Sequence, residues 1–135
     1  MAGIRGRDTK PELFLRKSLH AMGFRYRLGG KGLPGRPDLV FPARRVVVLV
    51  HGCFWHKHDC KYFKWPAQNS AFWRTKIEGN VRRDSETSHQ LENLGWKLEV
   101  VWECELKATG YALPNPAVKR LSRILNAQSL VRVVT

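Results

Sequence analysis

With 135 residues the chain has room for one domain and a modest core. No apolar run approaches membrane-spanning length and no signal-peptide pattern opens the chain, so a membrane protein is excluded and the expected compartment is the cytoplasm, beside the nucleoid. Lys and Arg total 24 against 11 Asp and Glu, a net +13 that favours a polyanionic partner, nucleic acid above all, over a merely basic soluble protein. Three cysteines cannot complete a disulfide framework and suit metal ligation better.

In chain order, Thr9-Lys10-Pro11-Glu12 reads as a helix start. It has a hydroxyl at the N-cap, Pro in the first turn and Glu at the capping-box position. Leu15, Leu19 and Met22 follow at helical spacing, and Gly23 ends the helix. Phe24, Tyr26 and Leu28 alternate with Arg25 and Arg27, which predicts a half-exposed strand. Residues 29–35 form a Gly-rich loop. Pro37–Phe41 and the β-branched run Val46–Val50 predict an antiparallel hairpin around Pro42–Arg45, with the second strand buried on both faces. That pairing brings Asp38 toward His51, because both lie away from the turn.

His51–Cys60, HGCFWHKHDC, is too polar to be core unless something holds it. A loop then leads to a helix capped at Asn69 or Ser70 and carrying Phe72, Trp73, Ile77 and Val81. Gly79-Asn80 is predicted to break that helix before a second one over residues 84–94. Trp96–Val101 reads as a strand, and Asn115-Pro116 starts a last helix through Leu125. The order predicts an α/β fold, helices flanking a central sheet.

Cys53, His58, Cys60 and the distant Cys104 make a plausible tetrahedral Zn²⁺ set. Four protein ligands would leave no open position, so such a site is structural. Spacing alone does not choose among His51, His56 and His58 for the nitrogen ligand. Asp38 with His51 and His56 is a second candidate: a carboxylate at a strand end suits Mg²⁺, and an imidazole with a pKa of roughly 6–7 can move a proton. Taken alone, Asp38 reads equally well as a turn-capping acid. Glu12 reads as the capping-box acid, and Asp84 as the partner of Arg82 or Arg83 on a solvated helix face. Phe54 and Trp55, in a polar loop, and Trp73, beside Arg74 and Lys76, suit stacking on bases or wedging between them. Packing over the metal loop is the alternative.

The segments PGRPDLVF (34–41), HGCFWHKHDC (51–60), FKWP (63–66), FWRTKIEGNVRRD (72–84) and GWKLEVVWECEL (95–106) together resemble the very-short-patch repair (Vsr) mismatch endonucleases, from Ile4 to Leu106. The resemblance implies a restriction-endonuclease-like fold and a monomeric, Mg²⁺-dependent enzyme. It would nick one strand of double-stranded DNA 5′ to the mispaired T of a T:G mismatch left by 5-methylcytosine deamination. It further implies Asp38 as the Mg²⁺-binding carboxylate, His51 and His56 as catalytic imidazoles, and Cys53, His58, Cys60 and Cys104 as zinc ligands. Phe54, Trp55 and Trp73 become the wedge, and Glu12 and Asp84 acids near the active site. Mismatch-repair proteins are left open as partners. Where the family has Thr before HGCFWH this chain has Val50, whose backbone carbonyl still serves the metal while any hydroxyl role is lost. Family members carry an N-terminal arm upstream of the segment that is Ile4–Thr9 here, so a weaker grip on DNA is expected. A restriction-like enzyme cutting unmodified sites on both strands, and a zinc-stabilised DNA-binding module without turnover, are the competing readings.

Overall fold

The computed structural model describes residues 9–128 apart from 31 and 62, so the segment before Thr9 in the Vsr-like match lies outside the described residues. Helix α1, Lys10–Ala21, starts as its sequence dictates. The Thr9 hydroxyl accepts from the Glu12 N–H at 3.4 Å, and Pro11 occupies the first turn. Gly23, at φ +96°, turns the chain out of the helix. Leu15 and Leu19 are fully buried, while Met22 faces solvent.

The strand predicted from Phe24 shrinks to β1, Arg27–Leu28. The Phe24 N–H is spent on Leu19 O in the helix-closing turn, so the ladder cannot begin there. Phe24 is buried and Tyr26 packs on the core, whereas Leu28 is exposed. The hairpin is present: β2, Leu39–Phe41, runs antiparallel to β3, Val46–His51, with Phe41 opposite Val46. A 3-10 turn at Pro42–Arg44 joins them, and Arg45 takes the left-handed conformation at φ 57°. Arg45 is steadied there by Trp96, 4.1 Å from its guanidinium carbon, and by Leu94 O, to which it donates at 3.0 Å.

The four-stranded sheet has the order β1-β2-β3-β4, and β4, Lys97–Trp102, lies parallel to β3. As expected, β3 is buried on both faces. Val46 and Val48 join Leu15, Leu19, Leu121 and Leu125 on one side, and Val47 meets Val40 and Leu91 on the other. Each such aliphatic side chain withdrawn from water contributes about 1.5–3 kcal/mol. Helices α1, α3 (Glu103–Lys107) and α4 (Pro116–Ala127) cover the first face, and α2 (Ser70–Asn93) covers the second. Asn115, fully buried, caps α4 by accepting from the N–H groups of Ala117 at 2.9 Å and Val118 at 3.2 Å. Glu105 caps α3 by accepting from the Trp102 N–H at 2.8 Å. No helix among the described residues is long and apolar enough to cross a membrane.

One expectation fails outright. α2 is a single helix of 24 residues that passes through Gly79-Asn80 without a break. An interior glycine costs only about 1 kcal/mol relative to alanine, and the Asn80 amide, which could compete with the helix, instead donates to Trp55 O at 2.9 Å. Continuity has a consequence for the site. At about 100° per residue, positions 73, 77, 80 and 84 return to one face, so one rod carries Trp73, buried Ile77, Asn80 and Asp84 toward the loop after β3.

Candidate active site and metal centre

β3 and β4 end together: His51 pairs with Trp102 in the parallel register, and the site is built at this shared C-terminal edge. The loop beyond His51 is wound by short backbone bonds. His56 N donates to Gly52 O at 3.3 Å, His58 N to Cys53 O at 2.9 Å, and Cys60 N to His58 O at 2.8 Å. The winding brings Cys53, His58 and Cys60 to Cys104, in the first turn of α3. The four donor atoms lie within 4.8 Å of one another. Geometry makes the choice that spacing left open, since His58 is the imidazole beside the three sulfurs. Its Nδ1 lies 3.5 Å from Cys104 Sγ. Bond lengths of about 2.3 Å to sulfur and 2.0–2.1 Å to nitrogen give a tetrahedral S···N edge of roughly 3.6 Å.

The cysteines are free thiols, and Cys53 is fully buried. Burial pushes the Cys53 thiol up to about 12 and raises that of Cys104 as well, with the neighbouring Cys60 thiol adding to both. Thiols that resist ionisation, as Cys53 and Cys104 do, are costly to crowd together; a bound cation reverses that cost by stabilising the thiolates. The donor set therefore fits a soft divalent metal. Part of the segment expected to be too polar for the core is buried after all, since Cys53 and His51 are both withdrawn from solvent.

The second group is reassorted. Asp84, rather than Asp38, joins His51 and His56. Its Oδ2 lies 2.6 Å from His56 Nδ1 and its Oδ1 is 4.0 Å from His51 Nε2. The predicted pairing of Asp84 with Arg82 or Arg83 gives way to this contact, while the Arg83 guanidinium donates to Asn80 Oδ1. The two imidazoles stack face to face, with centroids 3.8 Å apart and planes 2° from parallel. Burial, reinforced by His56, pulls His51 down to about 4 against the opposing pull of Asp84, so His51 is neutral near pH 7. His51 Nδ1 is the buried side-chain nitrogen or oxygen without a hydrogen-bond partner among the described residues.

Asp38 stands just before β2, and its Oδ2 accepts from the Val50 N–H at 2.6 Å. Its bond therefore goes to the residue before His51. Burial raises its carboxyl to about 7; the Val50 N–H and the charge of His56 oppose the rise, and Glu12 adds to it. Glu12 is buried at 3% exposure, with Oε2 3.0 Å from Arg16 Nη1. Two carboxylates within electrostatic reach, one of them reluctant to ionise, make an environment that a hard cation would relieve.

Phe54, Trp55 and Trp73 are half-buried and mutually packed, with ring centroids 5.2 Å (Phe54–Trp55), 5.5 Å (Phe54–Trp73) and 5.7 Å (Trp55–Trp73) apart. The trio belongs to a larger aromatic cluster than predicted. Phe63 lies 6.1 Å from Phe54, Trp65 lies 5.1 Å from Phe63, and the 59%-exposed Phe72 lies 5.2 Å from Trp73. Trp102 was also missed. Its ring stacks on His58 at 4.1 Å and meets His51 edge-on at 5.1 Å, so one indole bridges the thiol cluster and the stacked imidazoles. The sequence signal was present in the placement of Trp102 two residues before Cys104.

Comparison with known proteins decides the family. Residues 1–62 match the family described as DNA mismatch endonuclease Vsr. The chain is 46% identical over 110 residues to Type II nicking enzyme V.XorIIP of Xanthomonas oryzae pv. oryzae, covering 82% of this chain and 81% of that protein. It is 45% identical over 107 residues to DNA mismatch endonuclease Vsr of Escherichia coli, covering 79% and 69%. The chain belongs to the Vsr DNA mismatch endonuclease family. Type II nicking enzyme V.NmeAIP of Neisseria meningitidis, 46% identical over 107 residues, is a further relative, covered to 76% of its length.

Proposed function

We propose that this Vsr family member is a DNA mismatch endonuclease acting in very-short-patch repair. It nicks one strand 5′ to the mispaired T of a T:G pair left by 5-methylcytosine deamination. The observation that carries the reading is the convergence at the end of β3. The His56–Asp84 pair at 2.6 Å, the stacked His51, and Asp38 bonded to Val50 meet where the loop after β3 packs on α2, and the same loop and helix carry the Phe54–Trp55–Trp73 trio. The whole chain is read as one restriction-endonuclease-like domain, working as a monomer in the cytoplasm.

Asp38 and the Val50 carbonyl would hold Mg²⁺, which when bound neutralises charge at the scissile phosphate. Asp84 engages His56 Nδ1 and so leaves Nε2 as the atom that takes a proton from the attacking water or gives one to the leaving oxygen. His51, kept neutral by burial, offers hydrogen bonds without adding charge. Glu12 adjusts the ionisation of Asp38 from a distance and is a positioning acid. Cys53, His58, Cys60 and Cys104 would hold a structural Zn²⁺ that fixes the loop carrying His56, Phe54 and Trp55. The aromatic trio wedges into the base stack, where unstacking costs a few kcal/mol and less at a mismatch.

The test compares a T:G duplex with its fully paired counterpart. A nick in one strand of the T:G duplex alone is expected. Cleavage of both strands in the paired duplex would favour a restriction-like enzyme, and binding without cleavage a non-catalytic module.

A further inference from the structure

We propose that Lys57, Trp65 and Arg74 form a cation shelf that grips a backbone phosphate of the duplex next to the aromatic wedge. The proposal rests on the DNA-endonuclease reading and adds a contact site to it. Trp65 is the outer end of the ring chain that runs from Phe54 through Phe63. The Arg74 guanidinium carbon lies 4.3 Å from the Trp65 ring centroid, and Lys57 Nζ lies 5.5 Å from it. Both cations are exposed, and neither is paired with a carboxylate among the described residues.

The two cations also have fixed places relative to the chemistry. Lys57 lies between His56 and His58 in a left-handed conformation, φ 53°, which a residue with a β-carbon rarely adopts and which sets the direction of its side chain. Arg74 follows Trp73 on the rigid α2 rod.

The chemistry selects the ligand. Stacking on Trp65 occupies the face of the Arg74 guanidinium and leaves its edge N–H groups free. That edge matches two oxygens of a phosphate in a bidentate fork. Holding the cation against an indole before binding reduces the ordering cost on association. Continuity with the wedge and an overall +13 charge point to the DNA backbone as the occupant. A phosphate contact of this kind positions the duplex and carries no base preference.

The experiment measures binding of T:G and paired duplexes across a salt series for the wild type, Lys57→Gln, Arg74→Gln, Trp65→Leu and the Trp65/Arg74 double variant, with thermal melts of each. Removing either cation is expected to lower the slope of log K against log salt by about 0.9 and to leave the T:G preference intact. Trp65→Leu keeps the charge yet is expected to weaken binding several-fold, and in the double variant it should add little to the loss from Arg74→Gln. Unchanged slopes for both Gln variants would overturn the shelf. Fully additive losses for Trp65 and Arg74 would overturn the role of the indole in holding the guanidinium. Should Trp65→Leu unfold, the slopes of the two exposed-cation variants still decide. Wild-type nicking of the T:G duplex, assayed alongside, separates the two claims: a wild type that nicks while the variants keep its salt slope refutes the shelf and leaves the endonuclease reading standing.

Discussion

Replacing Asp38 by asparagine separates the work of that carboxylate from its cost. Burial lifts its carboxyl from 3.8 to about 7. The native state therefore holds the proton more tightly than the unfolded chain. The stability this confers is fully present below 3.8 and is lost as pH rises through about 7. At about 1.4 kcal/mol per pH unit, the ionised carboxylate costs the Mg²⁺-free protein on the order of 1–4 kcal/mol at pH 8. An asparagine side chain there would be neutral and would keep an oxygen to accept from the Val50 N–H. Asp38→Asn is thus expected to melt no lower than wild type at pH 8 without Mg²⁺, and to lose nicking. The same ionisation governs the cation. With a pKa of about 7, roughly one eleventh of the carboxylate is ionised at pH 6 and ten elevenths at pH 8, so apparent Mg²⁺ affinity should be about tenfold tighter at pH 8. Calorimetric titration of wild type with Mg²⁺ at the two pH values, with melts of both proteins, makes the measurement. Equal affinity at both pH values, or wild-type nicking by Asp38→Asn, would refute the reasoning.

Elemental analysis should find about one Zn²⁺ per chain, and Cys104→Ser should lose it together with several degrees of thermal stability; full zinc content in that variant would contradict the ligand set. His51, held near 4, contributes stability that is present above pH 6.5 and lost as pH falls through about 4. A rate bend near pH 7 should therefore survive in His51→Ala, because His51 itself titrates near 4, and its disappearance there would overturn that placement. His56→Ala should cost about 10²-fold or more in rate and Asp84→Asn less, measured in single-turnover nicking; a wild-type rate in His56→Ala would remove the proton-transfer role. Trp55→Ala should lose the preference for T:G over T:A duplexes while keeping salt-dependent non-specific binding, and equal weakening on both duplexes would make Trp55 a packing residue.

Local chemistry was legible wherever it was strong. Thr9 and Asn115 announced their helices, Gly23 ended the first, and the Val46–Val50 run declared a strand covered on both faces. Cys53, Cys60 and Cys104 with one neighbouring histidine could be gathered as metal-ligating candidates from residue type alone, whereas choosing His58 over His51 and His56 required the winding of the loop. What stayed hidden depended on long-range partners. Gly79-Asn80 reads as a break only until Trp55 O is seen to take the Asn80 amide. Asp84 reads as a surface acid only until α2 is continuous and turns it toward His56. Trp102 stands near a candidate ligand in sequence, but its place against His51 comes from the parallel register of β3 and β4.

The central claim, metal-dependent nicking of one strand at a mismatch, is tested most directly with a duplex bearing a single T:G pair. Each strand is labelled in turn and incubated with the protein with and without Mg²⁺. The expected product is one cut, 5′ to the mispaired T, in the T-containing strand and only with Mg²⁺. Cleavage of the G-containing strand, equal cleavage of a T:A duplex, or cleavage without a divalent cation would contradict it.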